Sequence, residues 1–138
     1  MITWTNATTG TSVNGTTSTQ SATDTPGHGN FILSASDWRN PSNDNLWQGV
    51  SGTNNPCPSG YRLPTETELN NERLSWVQAP ISSTNSSAGA FASPLKLPMA
   101  GARDGSNGTL LSVGTLGLYW SSSVSGSISR SLSFDSSI

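Results

Sequence analysis

One cysteine and one histidine are all that this chain holds of two residue types central to redox and nucleophilic chemistry. Cys57 alone can form no internal disulfide, and it reads as a buried, inert thiol. A nucleophilic cysteine needs a base beside it, and His28 lies in the turn Pro26-Gly27-His28-Gly29, which suits a loop residue better than a metal ligand or pH switch. Charge is scarce as well: six Lys and Arg stand against eight Asp and Glu, for a net charge of −2. That leaves no basic footprint for phosphate-driven binding, so nucleic acid is not an expected partner. Nor is there a run of about 18 apolar residues, so membrane insertion is not expected either. Met1-Ile2-Thr3-Trp4 lacks the basic-then-apolar pattern of a signal peptide, so the sequence reads as a mature or shortened form.

What the chain has instead is Ser, Thr, Asn and Gly, threaded with five tryptophans and eight prolines. Its 138 residues suit one domain spanning 1–138, with material for a single core. Residues 1–25 are a Thr/Ser/Gly-rich segment in which only Ile2-Thr3-Trp4-Thr5 alternates like a strand. Phe31-Ile32-Leu33 reads as a short buried strand. From Asp37 to Gly49 the chain offers hard oxygen ligands, with Asp37, Asn43 and Asp44 as calcium candidates. The spacing is not that of an EF-hand, and the alternative is a loop of Asx-turns pinned by Trp38 and Trp47. No metal or other cofactor is expected.

After the rigid stretch Pro56–Pro64, Thr65 and Glu68 form a capping box that opens a helix over Glu66–Trp76, with Leu69, Arg73 and Trp76 on one stripe. Glu66, Glu68 and Glu72 sit where a helix start favours negative charge, which explains them better than paired catalytic carboxylates do. Ala79–Ser93 reads as a small-residue loop, and Leu95, Leu97 and Met99 alternate as the next core strand. Arg103 and Asp104 suit a surface ion pair.

Residues 96–138 interleave two kinds of side chain. Leu97, Pro98, Ala100, Gly101, Gly108, Val113, Gly114, Gly117, Tyr119, Trp120, Gly126, Leu132 and Phe134 read as scaffold, with Trp120 as core and Leu132 and Phe134 on one strand face. Between them stand residues of no consistent chemistry: Asp104, Ser106, Asn107, Leu111, Ser112, Leu116, Leu118, Ser125, Ile128, Ser131, Ser133, Asp135 and Ile138. Exposed aliphatics among serines look like a display surface. Tyr119 belongs to either set.

Several motifs occur in a telling order: Asp37-Trp38-Arg39-Asn40-Pro41, Asn43-Asp44-Asn45-Leu46-Trp47-Gln48-Gly49, and Asn55-Pro56-Cys57-Pro58-Ser59-Gly60-Tyr61-Arg62-Leu63-Pro64-Thr65. They are followed by Leu97-Pro98-Met99-Ala100-Gly101 and by Trp120-Ser121-Ser122-Ser123 after Leu118-Tyr119. From about Thr25 onward the chain resembles the Fibrobacter succinogenes major paralogous domain. The resemblance implies an α+β, C-type-lectin-like fold, with small twisted antiparallel sheets, one or two helices and extensive loops. Some members of that family are targets of diversity-generating retroelements, which randomise adenines, mostly in Asn codons. Such codons can become Ser, Asp, Gly, Ile or Leu, as in the irregular set above.

The function implied is a non-enzymatic receptor or adhesion module, extracellular, on a cell surface or on a phage particle, binding a protein or cell-surface ligand through its variable third. The alternative is a structural surface or phage-fibre module with no separable ligand. Formylglycine-generating oxidases are enzymatic relatives of such a fold, but they depend on paired cysteines, and only Cys57 is present. Sugar-binding tripeptides of calcium-dependent lectins are absent, and fold does not fix function. The resembled domains commonly continue past the position of Ile138 to a further strand and a second cysteine, so the chain reads as truncated there. An unpaired sheet edge and self-association through it are the corresponding expectation.

Overall fold

The computed structural model describes residues 15–76 and 85–136. The strand expected at Ile2–Thr5 and the residue Ile138 lie outside them. Helix and strand are mixed, in an α+β arrangement of short elements. In chain order these are β1 (Thr16–Thr17), β2 (Phe31–Ile32), α1 (Glu66–Leu74), α2 (Ser87–Ala92), β3 (Ala102–Arg103), β4 (Leu110–Leu111), β5 (Leu116–Ser125) and β6 (Ile128–Asp135). The described strands pair as β1–β2, β3–β4 and β5–β6. The first pair is parallel, against the expectation of antiparallel sheets throughout, and Phe31–Ile32 is half-buried rather than core.

The long hairpin β5–β6 is the spine. It turns through the two residues Gly126 and Ser127, and the positive φ of Gly126 (60°) suits the tight turns that match strand twist. Its inner face is fixed by alternation: Gly117, Tyr119 and Ser121 on β5 meet Leu132 and Phe134 on β6. Phe134 is 2% exposed, with Trp76 edge-on at 5.3 Å and Tyr119 stacked parallel at 6.0 Å between ring centroids. Leu69 and Ala90 complete the buried cluster, and Leu97 and Met99 pack against it.

Helix α1 starts where the sequence places it and ends at Leu74, two residues short of the expected Trp76. The Thr65 hydroxyl accepts from the Glu68 amide (3.3 Å), and the Glu68 carboxylate accepts from the Thr65 amide (2.8 Å). Arg62 grips the same carboxylate with two nitrogens, at 2.7 and 2.9 Å. Those bonds, from Arg62 first and then from Thr65, hold the Glu68 carboxyl at about 2. A carboxyl whose folded-state pKa is depressed adds stability that is fully present above its ordinary range and is lost as pH falls toward 2. Glu68 is therefore expected to titrate in an NMR experiment near pH 2, and Thr65→Ala should lower stability by about 1 kcal/mol and move that midpoint upward.

Four sequence expectations are corrected here. Ser87–Ala92 is a helix rather than loop, capped by the Ser86 hydroxyl accepting from the Gly89 amide (3.0 Å) and bringing Ala90 into full burial. Leu95–Met99 is not a strand: Pro94 and Pro98 lack ladder donors, and Leu95 is exposed while Leu97 and Met99 tuck onto the core. Trp120, read as core, is 55% exposed, and Val113, read as scaffold, is 61% exposed. Period two explains the tryptophan. With Gly117 and Tyr119 facing inward, residue 120 must face out.

Candidate ligand-binding face

The outer face of the hairpin gathers residues far apart in sequence. Leu116 lies opposite Asp135, Leu118 opposite Ser133 and Trp120 opposite Ser131, so six side chains share one surface. Asp135, Ser133, Ser131 and Trp120 are exposed, and Leu116 and Leu118 are half-buried. Ser125 and Ile128 pair at the tip beside the turn, and Ile128 is 65% exposed. Leu116, Leu118, Ser125, Ile128, Ser131, Ser133 and Asp135 thus belong to one hairpin, and all but the two leucines are open to solvent. Tyr119 does not join them. It faces inward, donates its hydroxyl to the Pro98 carbonyl (2.6 Å), and burial pushes its pKa up.

A second group lies on the turn between β3 and β4. The Asp104 carboxylate accepts from the Ser106 amide (2.6 Å), the Ser106 hydroxyl and the Asn107 amide, bonds that lower its pKa, the Ser106 hydroxyl first. The Asn107 side-chain oxygen accepts from the Thr109 amide (2.9 Å) and hydroxyl (2.7 Å). These polar side chains shape their own loop while Ser106 and Asn107 remain exposed. Leu111 and Ser112 follow, both exposed, and the positive φ of Ser112 (53°) marks the next turn. Arg103 does not reach for Asp104. It donates to the Gly108 carbonyl and lies over the Phe31 ring at 5.5 Å.

Sequence reasoning missed what the serines after Trp120 do. The β5–β6 register slips between Trp120 and Val124, a bulge that re-aims the chain toward α1. Ser121, 3% exposed, donates to the Arg130 carbonyl (2.9 Å). The Ser122 amide donates to the Pro64 carbonyl (2.8 Å), and the Ser123 hydroxyl accepts from the Glu66 amide (3.0 Å) at the helix start. Arg130 adds an ion pair to Glu66 at 2.5 Å, which lowers the glutamate pKa. Ser121 thus ties β5 to β6, Ser122 and Ser123 tie the hairpin to the start of α1, and the clustering of the three in sequence was the available signal.

The calcium candidates form local turns. Asp37 accepts from the Arg39 amide (3.2 Å) and Asn43 from the Asn45 amide (3.2 Å), two Asx-turns, while the Asp44 carbonyl accepts from the Gln48 amide group (2.9 Å). Arg39 pairs with Asp24 at 2.8 Å, closing this loop against the N-terminal part of the chain. Among the described residues no three His, Cys, Asp or Glu side chains cluster as a metal site. Cys57 is half-buried rather than buried. His28 accepts from the Asn30 amide (3.2 Å) in an exposed loop. No described helix is long and apolar enough to cross a membrane. Comparisons of this chain with protein-family models, with curated proteins and with solved structures find no match.

Proposed function

We propose that this chain is a non-enzymatic binding module of C-type-lectin-like type, whose C-terminal third presents variable side chains to a protein or cell-surface ligand. The carrying observation is the division of labour across one hairpin. Gly117, Leu132 and Phe134 build the core from the inner face, while Leu116, Leu118, Trp120, Ser131, Ser133 and Asp135 share the outer one. A side chain on the outer face can change without touching the core ladder, which is the property a diversified surface needs. Affinity would come from the exposed aromatic and aliphatic groups Trp120, Leu111 and Ile128, with half-buried Leu118 beside them, ringed by serines. Display on a cell surface or phage particle, with adenine-directed diversification of the gene, accords with this arrangement.

Two measurements test it. Sibling genes should differ by adenine-biased changes at positions 111, 116, 118, 128, 131 and 133, and stay constant at Gly117, Ser121, Leu132 and Phe134. Differences spread evenly over both groups would defeat the reading. The triple variant Leu111→Ala, Trp120→Ala, Ile128→Ala should melt within a few degrees of the parent, because exposed positions contribute little to stability, on the order of ±0.5 kcal/mol each. A loss as large as a core deletion would place these side chains in the interior.

A further inference from the structure

Strand β6 has a second edge, and its direction is fixed. The Asp135 amide donates away from β5, to the Asn85 carbonyl (3.2 Å), while its cross-strand partner Leu116 turns its own carbonyl outward to the Gly101 amide (2.8 Å). In an antiparallel pair this direction repeats every second residue, so the amides and carbonyls of Ser133 and Ser131 also point away from β5. Among the described residues nothing bonds the backbone of Ser131 or Ser133 on that side. A groove of about 590 Å³ runs along it, between β6 and α1. Glu66 paired to Arg130 closes one end, and Asn85 bonded to Asp135 closes the other.

We propose that this groove takes a short extended peptide as an added strand, hydrogen-bonded to the backbone of Ser131 and Ser133. At its far end this edge already carries one main-chain bridge, Ser86 to Asp135 in parallel. From Arg130 to Asp135 the slot measures about 17 Å at roughly 3.4 Å per residue, which holds about four extended residues. Leu69 and Leu132 reach its lining, so one small aliphatic side chain of the guest is directed at them. The walls call for uncharged polar neighbours: Glu66 is matched by Arg130, and Arg73 donates to Asn70 (2.8 Å) and Asn85 (3.2 Å). Main-chain bonds supply the affinity and the single apolar position the selectivity. This site lies at the edge of the hairpin and does not depend on the outer face.

The test uses the full chain and a capped tetrapeptide, acetyl-Ser-Val-Ser-Thr-amide, beside the same peptide N-methylated at alternate residues. At saturating peptide, hydrogen exchange at the Ser131 and Ser133 amides should slow at least tenfold, and the N-methylated peptide should do nothing. Ser133→Pro removes only an outward N–H, which an edge strand tolerates, and should abolish binding. Ser133→Ala keeps the backbone and should bind as the parent does. If the proline variant fails to fold, the two peptides carry the test alone. The proposal is overturned if both amides exchange slowly in the free monomer, or if protection follows chain concentration because a second copy fills the slot. It is equally overturned if the peptide leaves the two amides unprotected, or if the N-methylated peptide protects them as well.

Discussion

Phe134→Ala is expected to cost about 3–5 kcal/mol, the range for truncating a buried aromatic, with a fall in Tm of roughly 10–20 °C. The reason is position. Phe134 is 2% exposed and is the ring on which Trp76 from the α1 end and Tyr119 from β5 converge. Removing it leaves a void that those two rings, each held by a hydrogen bond, cannot easily fill. Trp76 donates its indole N–H to the Glu72 carboxylate (3.1 Å), and Tyr119 donates to Pro98. Chemical denaturation with tryptophan fluorescence measures the loss. A cost below about 1 kcal/mol, the value for a side chain in a site that collapses freely, would show that this ring is not the centre of the core.

Gly117→Ala should cost about 3 kcal/mol, the upper end for overpacking a well-filled core. A methyl group there would stand 2.2 Å from the Phe134 ring, and other atoms of the same ring follow at 2.5 and 2.6 Å. The glycine is required by the close approach of the ring. This makes the two substitutions interdependent: in a Phe134→Ala background the added methyl enters vacated space and Gly117→Ala should cost under about 1 kcal/mol. The coupling in the double-mutant cycle is then about 2 kcal/mol, within the range for residues in direct contact. Additive costs would separate the glycine from the ring.

What was legible in the sequence was what short range decides. The capping box at Thr65 and Glu68 depends on residues three apart, and the alternation of Leu132 and Phe134 on strand period alone, so both could be read directly. Helix α2 escaped because six residues of Ser, Ala, Gly and Phe show no apolar stripe, and its N-cap is one serine among many. Trp120 was misplaced because hydrophobicity was weighed above phase: its neighbours Gly117 and Tyr119 already commanded the inner face. Leu95–Met99 alternates like a strand, yet two prolines deny it a ladder, and only contact with the distant cluster decides which of its side chains are buried. On the candidate face, the nominated residues were legible as irregular chemistry, but the assembly of Leu116, Leu118, Ser131, Ser133 and Asp135 on one surface follows from the β5–β6 register, a long-range pairing.

The closed ends of the slot beside α1 bear on solubility. An open strand edge invites one copy to stack on the next without limit, the route to fibres. Here Arg130 and Glu66 stand across one end and Asn85 across the other, so any ladder started at Ser131 terminates after a few rungs. Because the Glu66 carboxyl is held below its ordinary range by Arg130, that gatepost keeps its charge through mildly acidic conditions and is lost only in stronger acid.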